Sequence, residues 1–221
     1  MNATEPLRER TVAGLHEALA QCLGTVVQPD AAILDVGCGT GAWLQRLATI
    51  GYTNLQGTDV DTQQFAARDV LVHQNDLNSQ HWSLGSQRYQ LVTAIEVIEH
   101  LQNIENFLRN IHAALEARGY CLITTPNVHS LHARLRFFVT ADLKQFGSIG
   151  DPTHLFPLLS PTLQRLAAIH RFEVVREWGF PLSGDALGAR PWANLLCRVL
   201  RWVLPDPLPG DVYCVLLRKL G

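Results

Sequence analysis

The chain has 221 residues, 47% apolar and only 17% charged, with a mean hydropathy of +0.05. It can close a sizeable hydrophobic core, and the low-hydrophobicity, high-charge compositions that stay disordered are excluded. A net charge of −2 and a pI near 6.5 give no global attraction for a phosphate backbone, which disfavours nucleic acid as a partner.

Five cysteines without a CxxC pair fit neither a disulfide framework nor a zinc knuckle, so reduced, buried thiols are expected. Residues 1–6 lack a basic stretch leading into an apolar one, and no apolar run approaches the ~20 residues of a membrane span. The expectation is a cytoplasmic protein with one domain over 1–221.

In chain order, Leu7, Val12, Leu15, Leu19 and Leu23 recur at helical spacing and predict a lead-in helix over 4–23, inside an N-terminal segment 1–30. Residues 31–36 form a short apolar run of strand length that breaks into glycines, and helix spacing resumes at Trp43, Leu44, Leu47 and Ile50. The alternation continues with strands at 54–59, 70–74, 89–95 and 119–125, a short helix at 62–68 and a longer one at 104–117. Strands separated by helices of this length imply right-handed crossovers and a mainly parallel sheet with helices on both faces, so the fold class is α/β and doubly wound.

Beyond Pro126 the rhythm loosens. Two irregular inserts, 127–157 and 181–209, surround a helix at 160–170, with Ser160 as N-cap and Pro161 at N1, and a strand at 172–178. A last strand is expected at 211–218. Within the second insert, Trp192, Leu195, Leu196, Val199, Leu200 and Val203 recur at helical spacing over 192–204. That amphipathic helix suits a cap over an acceptor pocket, a homodimer contact or a peripheral membrane contact.

The segment Asp35-Val36-Gly37-Cys38-Gly39-Thr40-Gly41 lies between a buried-type strand and a helix. Glycines permit positive φ and let a ligand press on bare backbone. A dinucleotide fingerprint would read GxGxxG, whereas this turn reads GxGxG with a carboxylate at its entrance. Asp35 there repels a pyrophosphate and favours a cation such as an ammonium or sulfonium. Asp59 ends the second strand, where a carboxylate accepts from both hydroxyls of a ribose. Asp76, at the end of the third strand, can accept from an exocyclic adenine amine.

These residues, together with Gly57-Thr58-Asp59-Val60-Asp61, Gln74-Asn75-Asp76-Leu77 and the Glu96-Val97-Ile98-Glu99-His100-Leu101 string, resemble the class I S-adenosylmethionine-dependent methyltransferase family. The likeness runs from about residue 31 to 180. It implies a Rossmann-like, seven-stranded, mainly parallel sheet with an antiparallel last strand, and a cofactor-binding core over 31–126. It further implies S-adenosylmethionine as cofactor and S-adenosylhomocysteine as product. By the family's pattern Asp35, Gly37, Cys38, Gly39 and Gly41 hold the methionine half, with Ile95 and Glu96 lining that side. Asp59 belongs to the ribose and Asp76 to the adenine, with Val60 and Leu77 also in the cofactor-binding set.

A sulfonium methyl is already activated, so the protein's task is to align an acceptor, exclude water and take a proton from a hydroxyl. His100, His154 and Glu99 are the catalytic candidates, with no metal assigned. Glu96, Glu99, His100 and His154 also resemble the two-Glu, two-His metal site of small-RNA 2′-O-methyltransferases, although the closely spaced double histidine of that family is missing. The reading that results is O-methylation of a small, sugar- or lipid-linked metabolite. Its alternatives are a metal-dependent RNA 2′-O-methyltransferase and a non-catalytic cofactor-binding module.

Overall fold

The computed structural model describes residues 7–147, 150–187 and 189–221, so the expectations for 4–6, 148–149 and 188 fall outside the described residues. Seven strands make one sheet: β1 (Ala32–Val36), β2 (Asn54–Asp59), β3 (Leu71–Gln74), β4 (Tyr89–Ile95), β5 (Leu115–Pro126), β6 (Phe172–Phe180) and β7 (Val212–Lys219). Their order is β3-β2-β1-β4-β5-β7-β6. Strands β1 to β5 pair in parallel, while β7 runs antiparallel between β5 and β6.

The helices are α1 (Leu15–Leu23), α2 (Ala42–Thr49), α3 (Ile104–Ala114), α4 (Leu131–Thr140), α5 (Ser160–Ile169) and α6 (Pro191–Leu200). The period-2 alternation of the strands divides the core between the two faces of the sheet. Leu34 and Val36 of β1 and Val92 of β4 pack with α3 and α5 through Phe107, Ile111 and Leu163. Ile33 and Leu91 point the other way, onto Leu19 of α1 and Leu44 and Leu47 of α2. All five cysteines are free and four are buried. No described helix is long and apolar enough to cross a membrane.

Several boundaries differ from the sequence reading. The lead-in helix starts at Leu15, because Gly14 sits at φ 82°, outside the right-handed helical region; residues 7–14 are extended or turned instead. Residues 62–68 form no helix. Asp61 bonds the N–H of Gln63 through its side chain, and the N–H of Ala66 goes to the Thr40 carbonyl, so local polar groups take the bonds a helix needs.

The helix expected over 104–117 stops at Ala114, since Leu115 already pairs with Tyr89 in the sheet. Ser160 is the first helical residue rather than the N-cap, which is Leu159, and its hydroxyl donates to Glu177 at 2.7 Å. The first insert holds α4, capped by the Ser130 side chain accepting from Ala133 N–H. The helix expected over 192–204 spans Pro191–Leu200 and then breaks into turns.

Candidate functional site

Strand order reverses where β1 leaves one neighbour, β2, for the other, β4, and such a switch point opens a crevice at the carboxyl ends of the strands. A cleft of about 470 Å³ lies there, lined by Asp35, Gly37, Cys38, Gly39, Asp59, Ile95, Glu96, His100 and His154. The glycine turn between β1 and α2 is shaped by close neighbours. A Cβ on Gly37 (φ 72°) would stand 2.6 Å from Val97 Cγ2, and one on Gly41 (φ 82°) 2.6 Å from Ala67 Cβ. Gly39 (φ 50°) faces open space, with nothing within 4 Å of its would-be Cβ. Two glycines therefore seat the turn against the protein, and the third presents bare backbone to the cleft.

Asp59 holds this turn from β2: its Oδ2 accepts from Gly39 N–H at 2.8 Å, and its Oδ1 accepts from Asp61 N–H at 3.1 Å. Asp35 is buried at the floor, where Thr93 Oγ1 donates to its Oδ1 at 2.7 Å and Trp43 Nε1 donates to Thr93 at 3.2 Å. Burial pushes the Asp35 carboxyl up to about 7, against the pull of the Thr93 hydrogen bond. Glu96, in the left-handed region at φ 54°, accepts from Thr124 Oγ1 at 3.0 Å and is pushed up to about 7 by burial. One buried and one half-buried acid, both raised toward neutrality, make a site that gains from a cationic guest.

Not all the expected residues reach the cleft. Cys38 lines it, and burial raises its thiol, but Asp76 and Leu77 are absent from its lining. The Asp76 carboxylate accepts from Asn78 N–H at 2.9 Å, Leu77 packs into the core, and the Val60 side chain is exposed. The sequence reading missed the segment before α1. Arg8, Arg10, Thr11 and Val12 line the cleft, joined by His16 from the first turn of α1; the Arg8 carbonyl accepts from Thr40 Oγ1 at 3.3 Å, and Arg10 donates to Gln64 at 2.7 Å. The paired arginines of Leu7-Arg8-Glu9-Arg10 were the available signal, masked by a helical periodicity that Gly14 interrupts.

Beside the cofactor side, a turn of 3-10 helix (Ile98–His100) and the loop before α5 bring three candidate catalytic residues together. The His100 and His154 rings lie 4.7 Å apart, and Glu99 Oε1 is 3.9 Å from His154 Nε2. His100 Nδ1 meets the Thr153 carbonyl at 3.1 Å and the Thr153 hydroxyl at 2.9 Å; that hydroxyl donates to Asp151 at 2.5 Å. His154 Nδ1 meets the Gln145 carbonyl at 2.9 Å. Carbonyl acceptors fix Nδ1 as the protonated nitrogen of both rings and leave each Nε2 lone pair free.

Glu99 is 1% exposed, and among the described residues neither carboxylate oxygen has a hydrogen-bond partner. Burial first, then the Glu96 charge, raises it well above the carboxylate range. Ligand atoms of Glu99, His100 and His154 lie within 4.8 Å of one another, so these three can hold a divalent cation. Glu96, expected in the same set, turns to Thr124 instead.

A doubly wound sheet with β7 antiparallel and a glycine turn faced by acids on β1 and β2 is the architecture that the resemblance in the sequence implies. The methyltransferase-domain family model matches residues 7–177, and the chain belongs to that family. Over 104 residues it is 33% identical to a ubiquinone biosynthesis O-methyltransferase of Rickettsia bellii, a match covering 44% of this chain and 43% of that relative. The match thus takes in less than half of that relative's length.

Among solved structures, a SAM dependent methyltransferase from Archaeoglobus fulgidus superposes with TM-score 0.65 at 20% identity, covering 92% of this chain and 94% of that one. A methyltransferase-titled structure from Bacillus halodurans gives TM-score 0.65 at 14% identity, covering 93% and 100%. At these identities the likeness is one of fold.

Proposed function

We propose that the protein methylates a hydroxyl oxygen of a small, sugar- or lipid-linked metabolite by direct in-line transfer. The observation that carries this reading is a proton acceptor facing the cofactor cleft: His100 lines it, with Nδ1 anchored on Thr153. Burial lowers the His100 pKa, so the ring is neutral near pH 7 and ready to take a proton.

In the reaction the acceptor oxygen forms a bond to the methyl carbon while the carbon–sulfur bond breaks. Its electron pair passes to sulfur, leaving the neutral thioether S-adenosylhomocysteine. The acceptor proton goes to His100 Nε2, and the imidazolium is steadied through Thr153 by the Asp151 carboxylate, which its bonds to Thr153 hold below the usual carboxylate range. His154 packs against the His100 ring and orients the acceptor. Asp35 and Glu96 face the cationic methionine half, and Asp59 would accept from the ribose hydroxyls with its remaining lone pairs. The named activity of the Rickettsia bellii relative supports oxygen as the acceptor atom.

A second reading is favoured by the unpartnered Glu99 carboxylate. Here a divalent cation bound by Glu99 and the two Nε2 atoms would orient the acceptor oxygen and lower the pKa of its hydroxyl. The test is methyl transfer from labelled S-adenosylmethionine to a panel of catechols, sugars and lipid phenols, with and without a chelator. O-Methylated product, resistant to chelation and lost in His100→Gln, is the expected result. Loss of turnover on chelation, restored by Mn²⁺ or Mg²⁺, selects the second reading. Cofactor binding without turnover on any acceptor class sinks both and leaves a binding module.

A further inference from the structure

A second cavity, of about 540 Å³, lies between the two inserts, within the roughly 300–1,000 Å³ of ordinary ligand pockets. Its walls include Leu135 and Val139 from α4 and Trp192 and Leu196 from α6, with one alanine on each helix, Ala133 and Ala193. Pro126 and Gln145 line both this cavity and the cofactor cleft, so the two spaces meet at the side of the cleft where His154 binds the Gln145 carbonyl. Val139, Trp192 and Leu196 of its lining are exposed, as are Phe138 on α4, Leu195 on α6 and Trp202 beyond it.

A small polar acceptor fits the cleft alone and leaves this space to water, which in an apolar hole finds too few hydrogen-bond partners. A flat partner surface covers the outer rim but does not enter. We propose that the cavity holds the hydrocarbon tail of the methyl acceptor, so that acceptors are amphiphiles with a hydroxylated head in the cleft and an acyl- or polyprenyl-type tail between α4 and α6. This rests on the O-methylation reading and names its substrate class. A tail longer than the cavity emerges past the exposed Val139, Trp192 and Leu196 of its lining.

The test uses the full chain saturated with S-adenosylhomocysteine and titrated with 4-methyl-, 4-hexyl- and 4-dodecylcatechol, read by tryptophan fluorescence. Affinity should rise by about fourfold per buried methylene until the cavity is full. Ala133→Phe and Ala193→Phe, which fill the cavity from opposite helices, should each remove roughly tenfold or more of the dodecyl gain. Both should leave binding of the methyl compound and of S-adenosylhomocysteine unchanged. Trp202→Ser, outside the lining, should keep the chain-length dependence.

Affinity independent of chain length, or a gain that survives both filled variants, overturns the proposal. So does a gain lost only in Trp202→Ser alongside lost sedimentation with phosphatidylcholine vesicles, which makes the face a membrane-docking surface instead. Tail binding without O-methyl product rejects the reaction and keeps the cavity, whereas equal kcat/KM for all three catechols, with binding equally blind to chain length, does the reverse.

Discussion

Asp59 reaches back across the sheet to the glycine turn, its Oδ2 accepting from Gly39 N–H at 2.8 Å. The acid that the sequence assigns to the ribose thus also fixes the conformation of the cofactor's cradle. Its second oxygen accepts from Asp61 N–H, and each oxygen keeps a further lone pair for a ribose hydroxyl while the turn stays anchored. Asp35 is placed differently: it is held from within the core by Thr93, which sets the depth of the floor rather than the shape of the turn.

The three turn glycines should separate by what their Cβ would meet. Gly41→Ala, with φ 82° and Ala67 Cβ at 2.6 Å, should destabilise the fold by roughly 1–3 kcal/mol, visible as a lowered Tm. Gly39→Ala has room and should cost less stability while weakening cofactor binding more, because its methyl enters the ligand's space. Equal Tm losses with unchanged cofactor affinity in both variants would contradict this assignment.

Asp35 and Glu96, each raised to about 7 by burial, make cofactor binding pH-dependent. The sulfonium and ammonium groups favour the ionised carboxylates, so binding near pH 6 releases protons and affinity rises up to about pH 7. In the cofactor-free protein the sign is opposite for stability. A raised folded pKa means the fold holds the proton more tightly than the unfolded chain, so this contribution is full below about pH 4 and is lost as pH rises to about 7. Calorimetry in buffers of different ionisation enthalpy should show proton release that is reduced in Asp35→Asn; no release in the wild type would refute the linkage.

For the acceptor side, His100→Gln should lower kcat by roughly a hundredfold or more with cofactor affinity unchanged, and should flatten the acidic limb of the pH profile. Glu99→Gln mimics the neutral acid that burial favours and should keep most of the turnover. A Glu99→Gln variant that is inactive while still binding cofactor, in a chelator-sensitive enzyme, would transfer the role to a bound cation.

The sheet was legible because each strand is a short run bounded by turn residues, as in 31–36 and 89–95, and because burial on both faces leaves strongly apolar segments. The glycine turn and its acids at 35 and 59 were legible because their chemistry depends on residue type at fixed spacing. The arginines at 8 and 10 were a visible pair but sat inside a helical periodicity, and only the break at Gly14 frees that segment to line the cleft. Helix α4 was hidden among turn residues and histidines that read as loop, although Ser130 caps it. The second cavity was beyond reach for a related reason: two amphipathic faces reveal what they lack, but only their relative placement shows the space they leave. Asp76 was legible as a position: it lies exposed just past the end of β3, and its Oδ1 accepts from Asn78 N–H while Oδ2 stays available.

Isothermal titration of the protein with S-adenosylmethionine and S-adenosylhomocysteine, repeated on Asp59→Ala, tests the central claim most directly. The account predicts stoichiometric binding of both by the wild type and a roughly tenfold or greater loss in the variant, the scale of a charge-assisted hydrogen bond to a ligand. No binding by the wild type, or affinity undiminished by Asp59→Ala, would contradict it.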